Sequence, residues 1–185
     1  MAAAERTGYP VLVRPCSPVP GRPSAVRLGL TGPAAVREAF ELLTAPGPPV
    51  EGVLVQRQHT APVELSAGIR LIPPFGSVVQ VQVQAGGGRT GRSLRLVPLT
   101  GYDAGRMWRD LGIRPWPGGR GKSSAVDTAA LEDLLLRLSR LAEEHPEIAD
   151  LELAPVLAGP GGVTVADAQV RLAPTGEPAA TAGPG

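Results

Sequence analysis

The sequence is poor in the residues that most often carry out covalent or metal chemistry in a small protein. Among 185 residues it has one cysteine, Cys16, and two histidines. A single cysteine excludes a disulfide within the chain and a cysteine-based metal cluster. Lys122 is the only lysine, so any chemistry that needs an amine side chain depends on that position alone.

The sequence also has few aromatic residues and a net charge close to zero. Only 3% of the residues are aromatic, so a core must be built from the Leu, Val, Ile and Ala that dominate the 43% hydrophobic fraction. The net charge of +1 argues against a general electrostatic grip on nucleic acid. No apolar run approaches the ~20 residues that cross a bilayer, and the N-terminus lacks the apolar segment of a signal peptide. We therefore expect a cytoplasmic protein with no nucleic-acid or membrane partner.

The residues that are present alternate in two periods. Period-two alternation predicts strands at residues 9–15, 25–30, 50–58, 63–72, 77–84, 93–99, 150–158 and 163–172. Helical spacing predicts a helix that starts at Pro33, a second opened by Thr100 with Asp103, and a third capped by Asp127. Strands come in adjacent pairs with helices between the pairs, which predicts an α+β fold with a mostly antiparallel sheet and covering helices. The Gly, Pro, Ala and Thr of residues 174–185 predict a flexible tail.

A glycine run follows the strand predicted at 77–84. Gly86, Gly87 and Gly88 lack Cβ atoms, so their N–H groups could approach an anion closely, and Arg89 and Arg92 add positive charge. The run lacks the Lys-Ser/Thr pair of a Walker P-loop and opens no evident helix. Taken alone, a hairpin loop is therefore favoured over a phosphate cradle.

The other candidate residues each have a structural interpretation beside the functional one. His59, after a strand, is interpreted as a loop histidine, and His145 as a cation at a helix end. Glu64, Glu152 and Asp167 lie on or beside predicted strands, where carboxylates could hold a divalent ion or simply face water. The leucine stripe of the third helix is interpreted as core packing, with a partner-docking surface as the alternative.

The order of the segments GYPVLVRP, VREAFELL, EGVLVQ, VELSAGIR, FGSVVQ, RLVPLT, GGRG and VADAQVRL resembles the ATP-grasp domain of NDP-forming acyl-CoA synthetases. This family includes the ADP-forming acetate–CoA ligases and is similar to the β subunit of succinyl-CoA synthetase. The resemblance covers residues 8–172. It implies an ATP-grasp-like domain at 8–173, with a partial N-terminal lobe at 8–57 and a C-terminal lobe at 58–173. Family members carry a helix and a strand before the GYPV segment, so either the sequence is an excised piece of a longer protein or, as we expect, the N-terminal lobe is truncated.

The resemblance also implies a chemistry. In the family, ATP phosphorylates a histidine of a partner domain, and the phosphoryl group then passes to an acyl group that coenzyme A captures. This implies ATP and Mg²⁺ as cofactors, and a CoA-binding ligase or a GNAT acetyltransferase domain or chain as partner. By the same resemblance the nucleotide-binding residues are Arg14, Glu64, Gly86, Gly87 and Arg95, and the metal-binding residues are Glu152 and Asp167.

Several positions depart from the family pattern. Arg14 stands where the family has a lysine, Gly91 where it has an aspartate, and Ala154 where it has the asparagine of Asp-x-Asn-Pro. Phosphoryl transfer depends on neutralising phosphate charge. We therefore expect a degenerate domain with weak or lost nucleotide binding and no catalytic residue of its own, acting as a regulatory or scaffold module. The alternative is a functional ATP-binding domain or subunit of an ADP-forming acetate–CoA ligase, with the missing groups supplied by another chain.

Overall fold

A computed structural model describes residues 2–16, 26–45, 52–83, 91–115 and 125–173. Within these ranges the helices are α1 (Ala2–Thr7), α2 (Pro33–Thr44), α3 (Gly101–Asp110) and α4 (Thr128–Glu144). The strands are β1 (Val11–Cys16), β2 (Arg27–Leu30), β3 (Gly52–Arg57), β4 (Val63–Ile72), β5 (Gly76–Val83), β6 (Arg92–Leu96), β7 (Arg114–Pro115), β8 (Ala125–Val126), β9 (Ile148–Gly159), β10 (Gly162–Val165) and β11 (Ala168–Leu172). The glycine run and the predicted tail lie outside the described residues. None of the described helices is long and apolar enough to cross a membrane.

The chain divides into two compact units, Met1–Thr60 and Ala61–Gly185. The first unit is a three-stranded antiparallel sheet in the order β2-β1-β3. Its core contains Ala4 of α1, Val11 and Val13 of β1, and Val36 and Ala39 of α2. Helix α1 was not predicted, since the sequence analysis placed the start of the domain at residue 8. The lobe limits 8–57 and 58–173 remain predictions.

The second unit is built on a six-stranded antiparallel sheet. Its order is β10-β9-β4-β5-β6, and β11 also pairs with β9. Helices α3 and α4 cover one side, which we call the helix face. No helix of the described residues of this unit covers the other side, which we call the open face. Buried side chains of the helix face pack against both helices in one core that includes Leu65, Ala67, Ile69, Val79, Val81, Met107, Leu131 and Leu135. Each large aliphatic side chain buried in this way contributes roughly 1.5–3 kcal/mol to folding.

Both predicted helix caps of the second unit are confirmed. Asp103 N donates to Thr100 Oγ1 at 3.2 Å and Thr100 N donates to Asp103 Oδ2 at 2.9 Å, which completes a capping box at α3. Ala130 N donates to Asp127 Oδ1 at 3.0 Å at the start of α4. The buried Ser139 of α4 accepts a hydrogen bond from Leu99 N at 2.8 Å. The polar residues at these positions therefore fix where the helices begin and how α4 meets the segment before α3.

A proline interrupts the pairing of the central strand β9. Leu65 pairs with Val156 and Ala67 pairs with Leu153, so Ala154 and Pro155 together oppose Ser66 in a β-bulge. Proline has no N–H to donate and is tolerated inside a sheet at such bulges. The strand predicted at 163–172 is wrong as a single strand, because β10 and β11 pair with β9 on either side of this proline and the strand is broken at residues 166–167.

Candidate functional site

The open face of the sheet carries the candidate residues of the second unit. Gly68 pairs with Gln80 on one side and with Glu152 on the other, and Glu152 pairs with Gln169. Residues directly opposite each other in neighbouring strands project to the same face. Since Ala67 and Ile69 project into the helix-face core, this row of Gln80, Gly68, Glu152 and Gln169 lies on the open face.

Gly68 forms the floor of this row. A Cβ atom at this position would lie 2.0 Å from the carbonyl oxygen of Leu151, so only glycine fits. The backbone of β9 therefore approaches β4 closely, and the row has no side chain between Gln80 and Glu152. The arrangement leaves a shallow, polar-walled strip on the open face.

Glu64 lies on the same face but at a distance from Glu152. It is exposed and pairs with Leu157, beyond the bulge at Pro155. Gly68 follows Glu64 by four positions along β4, a span of about 13 Å along an extended strand. These two carboxylates are therefore too far apart to share one ion.

Glu152 and Asp167 lie on neighbouring segments. Ala154 N donates to the backbone carbonyl of Asp167 at 3.2 Å, and Glu152 pairs with Gln169, two residues further on. Diagonal neighbours of this kind lie about 7–8 Å apart. A magnesium ion commonly takes one or two carboxylates and completes its shell with phosphate oxygens and waters. Glu152 and Asp167 could supply the carboxylates of such a site. The neighbouring Ala154 has only a methyl group and adds no oxygen ligand.

No larger acidic group supports this pair. Within the described part of the chain there is no group of three or more His, Cys, Asp or Glu side chains that could hold a metal ion. Asp150, one row along, is instead paired with Arg70, whose Nε lies 3.4 Å from Asp150 Oδ1. An arginine of the chain thus neutralises the nearest additional carboxylate.

Arg95 is placed on the helix face. It pairs with the buried Val79, and its Nη2 donates to Asp110 Oδ2 of α3 at 2.8 Å. The guanidinium therefore joins β6 to α3 and lies on the opposite side of the sheet from Glu152. The arginine that does lie on the open face is Arg92, whose Nη2 donates to Gln80 Oε1 at 2.7 Å.

Beside Arg92 the open face is apolar. Leu94 and Leu96 are 43% and 54% exposed, whereas Ser93 is buried on the helix face. Leu94 pairs with Gln80, which places an apolar side chain at the end of the strip described above. A flat ring with polar edges can pack against the leucine and hydrogen-bond with the amide and the guanidinium. From the sequence, Arg92 was expected only to add positive charge beside the glycines, and Gln80 was not among the candidate site residues.

Arg14 belongs to the first unit. It lies on β1 opposite Leu54, between inward-facing positions such as Val13, so it projects to the sheet side away from α1 and α2. Its side chain is half-buried. Gly86 and Gly87 lie outside the described residues, so these two assignments stay predictions.

Among the described residues, two carboxyl groups have a pKa below the usual value, one in the first turn of α3 and one in the turn that follows α4. The Thr100 hydroxyl and backbone N–H lower the pKa of Asp103 by hydrogen bonding to its charged form. A bond from its own backbone N–H, followed by one from His145, lowers the pKa of Glu147. In both cases the hydrogen bonds favour the charged carboxylate.

The sequence model of the ATP-grasp domain matches residues 1–172. The chain is an ATP-grasp domain. The match begins ahead of residue 8 and includes α1. The truncation of the N-terminal lobe stays a prediction.

Relatives of this ATP-grasp domain are ADP-forming acyl-CoA ligases. It is 33% identical over 183 residues to acetate–CoA ligase [ADP-forming] I of Archaeoglobus fulgidus, which covers 91% of the chain and 26% of that protein. It is 27% identical over 179 residues to the β subunit of acetate–CoA ligase [ADP-forming] I of Pyrococcus furiosus, covering 89% of the chain and 76% of the subunit. The chain therefore spans about a quarter of the Archaeoglobus ligase and most of a β subunit.

Solved structures agree with these relatives. The domain matches a dinucleotide-forming acetyl-coenzyme A synthetase of Candidatus Korarchaeum cryptofilum, in complex with coenzyme A and Ca-AMPCP, with a TM-score of 0.77 and 29% identity over 93% of this chain and 80% of that chain. A complex of the same enzyme with coenzyme A and Mg-AMPPCP matches with a TM-score of 0.74. The predicted family and the predicted α+β, mostly antiparallel fold class are thereby confirmed.

Proposed function

We propose that this ATP-grasp domain keeps the scaffold of the acyl-CoA synthetase family but binds Mg-ATP weakly or not at all. It acts as a regulatory or scaffold module beside a CoA-ligase domain or a GNAT acetyltransferase domain. The observation that carries this proposal is Ala154, which follows Glu152 by two residues on β9, lies beside Asp167, and has no side-chain oxygen to offer a metal ion. Its N–H is already bonded to the backbone of Asp167.

A second position supports the same conclusion. Gly91 stands where the family resemblance places an aspartate, and a Cβ there would lie 3.0 Å from Leu111 Cδ2. An acidic side chain at this position would therefore contact Leu111 tightly, and the leucine, which packs against the core of the second unit, would have to shift by a few tenths of an ångström. Each lost charge-assisted hydrogen bond is worth about 1.5–3 kcal/mol, and about 1.4 kcal/mol corresponds to a factor of ten in affinity. Two such losses weaken binding by two orders of magnitude or more.

The retained residues favour a second candidate function, an active ATP-binding domain of an ADP-forming acetate–CoA ligase. In that case Glu152 and Asp167 would hold the magnesium ion, and Arg92 with Gln80 would orient the nucleotide on the open face. Bound Mg-ATP would supply the phosphoryl group for a histidine of the partner. The groups that this chain lacks would come from that partner.

Calorimetric titration with ATP and MgCl₂ distinguishes the two. We expect a dissociation constant of about 1 mM or weaker for the wild-type chain, which corresponds to about 4 kcal/mol of binding free energy. Ala154→Asn places an amide oxygen next to Glu152 and Asp167 and is expected to tighten Mg-ATP binding by about tenfold or more. The matched control is Ala168→Asn, an exposed position of β11 on the helix face, where binding should not change.

Two results would contradict the proposal. Micromolar binding of Mg-ATP by the wild-type chain, with phosphohistidine formed on a CoA-binding partner, would establish the active domain instead. An Ala154→Asn variant that binds no better than Ala168→Asn would remove the argument from position 154.

A further inference from the structure

Strand β11 forms an outer edge of the six-stranded sheet. In the described residues it pairs with β9 on one side only. All five of its residues are exposed, and its large apolar side chains are unusually so: Val170 is 57% and Leu172 is 60% exposed. An exposed edge strand with apolar side chains is a template for pairing with another strand.

The opposite edge of the sheet is protected in a way that β11 is not. Strand β6 carries Arg92 and Arg95, and the chain reaches Pro98 directly after it. Charged residues and proline are common devices that prevent edge pairing. Strand β11 has one charged residue, Arg171, and no proline. The two edges therefore differ in their capacity to accept a further strand.

The backbone of β11 turns alternate residues toward its outer edge, with one irregularity in its pairing with β9 between Arg171 and Leu172. The carbonyl of Asp167 accepts from Ala154 N, and Ala173 N donates to Glu147 O at 2.7 Å, so these positions turn their backbone groups toward β9. In an antiparallel sheet, alternate residues turn the N–H and C=O groups to opposite sides. Ala168, Val170 and Leu172 therefore present both groups on the outer edge.

This edge is complementary to itself. If two copies of β11 pair antiparallel about Val170, Val170 faces Val170 of the second copy and Ala168 faces Leu172. Each of these pairs is of the type that exchanges two N–H···O bonds. Their side chains lie on the helix face, where they extend the apolar row of Leu151 and Leu153.

The other face of the same pairing is polar and has no like charges directly opposite each other. Gln169 and Arg171 project to the open face, with Glu152 and Asp150 as their neighbours on β9. In the symmetric arrangement Gln169 faces Arg171 of the second copy, so an amide oxygen meets a guanidinium. Opposite or neutral cross-strand pairs are favourable, whereas like charges directly opposite would not be.

We propose that β11 is a self-association surface through which two copies of this chain join their sheets, with Val170 on the two-fold axis. This inference is independent of nucleotide binding. It is tested by sedimentation velocity of the full chain over a range of concentrations, where a species of twice the 19.0 kDa chain mass is expected. Val170→Lys places two ammonium groups at the axis and is expected to weaken the dimer by about tenfold or more. Leu94→Lys, the matched change on the other edge, is expected to leave it intact.

The register is tested by cross-linking in a Cys16→Ser background, which removes the only native thiol. Hydrogen-bonded antiparallel partners lie about 5.5 Å apart between Cα atoms, within the range that a disulfide bridges. Val170→Cys should therefore form a disulfide-linked dimer on mild oxidation, whereas Gln169→Cys, which faces Arg171, should not. A chain that stays monomeric at all concentrations, a dimer that survives Val170→Lys, or cross-linking through Gln169→Cys in preference to Val170→Cys would each overturn the proposal.

Discussion

At the scale of single residues, Gly68 shows how the backbone determines the shape of the open face. Its missing side chain allows the carbonyl of Leu151 to approach to a distance that no Cβ tolerates. The strip between Gln80 and Glu152 is therefore open because of a packing constraint within the sheet. A ligand that uses the strip would find it already formed.

We expect Gly68→Ala to lower the free energy of unfolding by about 3 kcal/mol or more, since the clash is with backbone that cannot move without disturbing β9. Gly101→Ala is the matched control, because a Cβ at Gly101 meets nothing within 4 Å and the residue begins α3. That change should be neutral or stabilise by up to about 1 kcal/mol. Urea unfolding of both variants measures the difference, and equal stabilities would contradict the argument.

The sequence predicted the strands on which two site candidates lie, but not the face of the sheet to which each candidate projects. Glu64 and Glu152 were correctly expected on strands, and the structure places both on the open face. The side of Arg95 could not be predicted from hydrophobicity. Alternation in β6 would bury Leu94 and Leu96, yet the register with β5 buries Ser93 and turns Arg95 to Asp110. The side of the sheet to which a side chain projects depends on strand pairing, which a single sequence does not specify.

At the scale of elements, prediction succeeded where local chemistry decides. The Thr100–Asp103 box and the Asp127 cap involve residues three positions apart, so their spacing alone is informative. Prediction failed where a distant strand decides. The break at residues 166–167 depends on Pro155 in β9. The two-residue pairing of β7 with β8 joins two segments in which no strand was predicted. Helix α1 has only 6 residues, which is too short for a helical period to show in the sequence.

The capping box of α3 predicts a pH dependence of stability. Because hydrogen bonds from Thr100 lower the pKa of Asp103 in the folded state, the stabilisation is present above the unfolded-state pKa and is lost as the pH falls through the folded-state value. Asp103→Asn should therefore be less stable than wild type at neutral pH, and the two unfolding curves should converge in strong acid. Denaturant unfolding between about pH 7 and about pH 2 tests this.

Asp133→Asn is the control for this experiment. Asp133 is exposed and pairs with Arg137 one turn along α4, where its Oδ2 lies 2.7 Å from the Arg137 Nε. Exposed pairs of this kind contribute little, so its removal should leave the acid limb of the stability curve almost unchanged. A difference between wild type and Asp103→Asn that is constant with pH would contradict the capping explanation.

At the scale of the whole molecule, the described residues form one hydrophobic core in each of the two compact units. One lies in Met1–Thr60 and includes Val11 and Val13; the other lies in Ala61–Gly185 and includes Leu65, Ile69 and Val79. Both tryptophans, Trp108 and Trp116, belong to the second unit. Tryptophan fluorescence therefore reports on the second unit, whereas far-ultraviolet circular dichroism reports on both.

We expect Val13→Ala and Val79→Ala, at two fully buried positions, each to cost about 2 kcal/mol. If the cores unfold separately, Val13→Ala should shift the circular dichroism transition and leave the fluorescence transition in place, while Val79→Ala should shift the fluorescence transition. Urea titrations followed by both signals provide the test. A single transition moved equally by either substitution would show that the two cores unfold as one.

The exposed thiol of Cys16 at the end of β1 has a practical consequence. Because the chain has no other cysteine, a maleimide fluorophore would attach at one place in the first unit without any engineering. The tryptophans of the second unit would then serve as energy donors to that dye. Changes in transfer efficiency on adding nucleotide, metal or coenzyme A would report directly on ligand-driven movement.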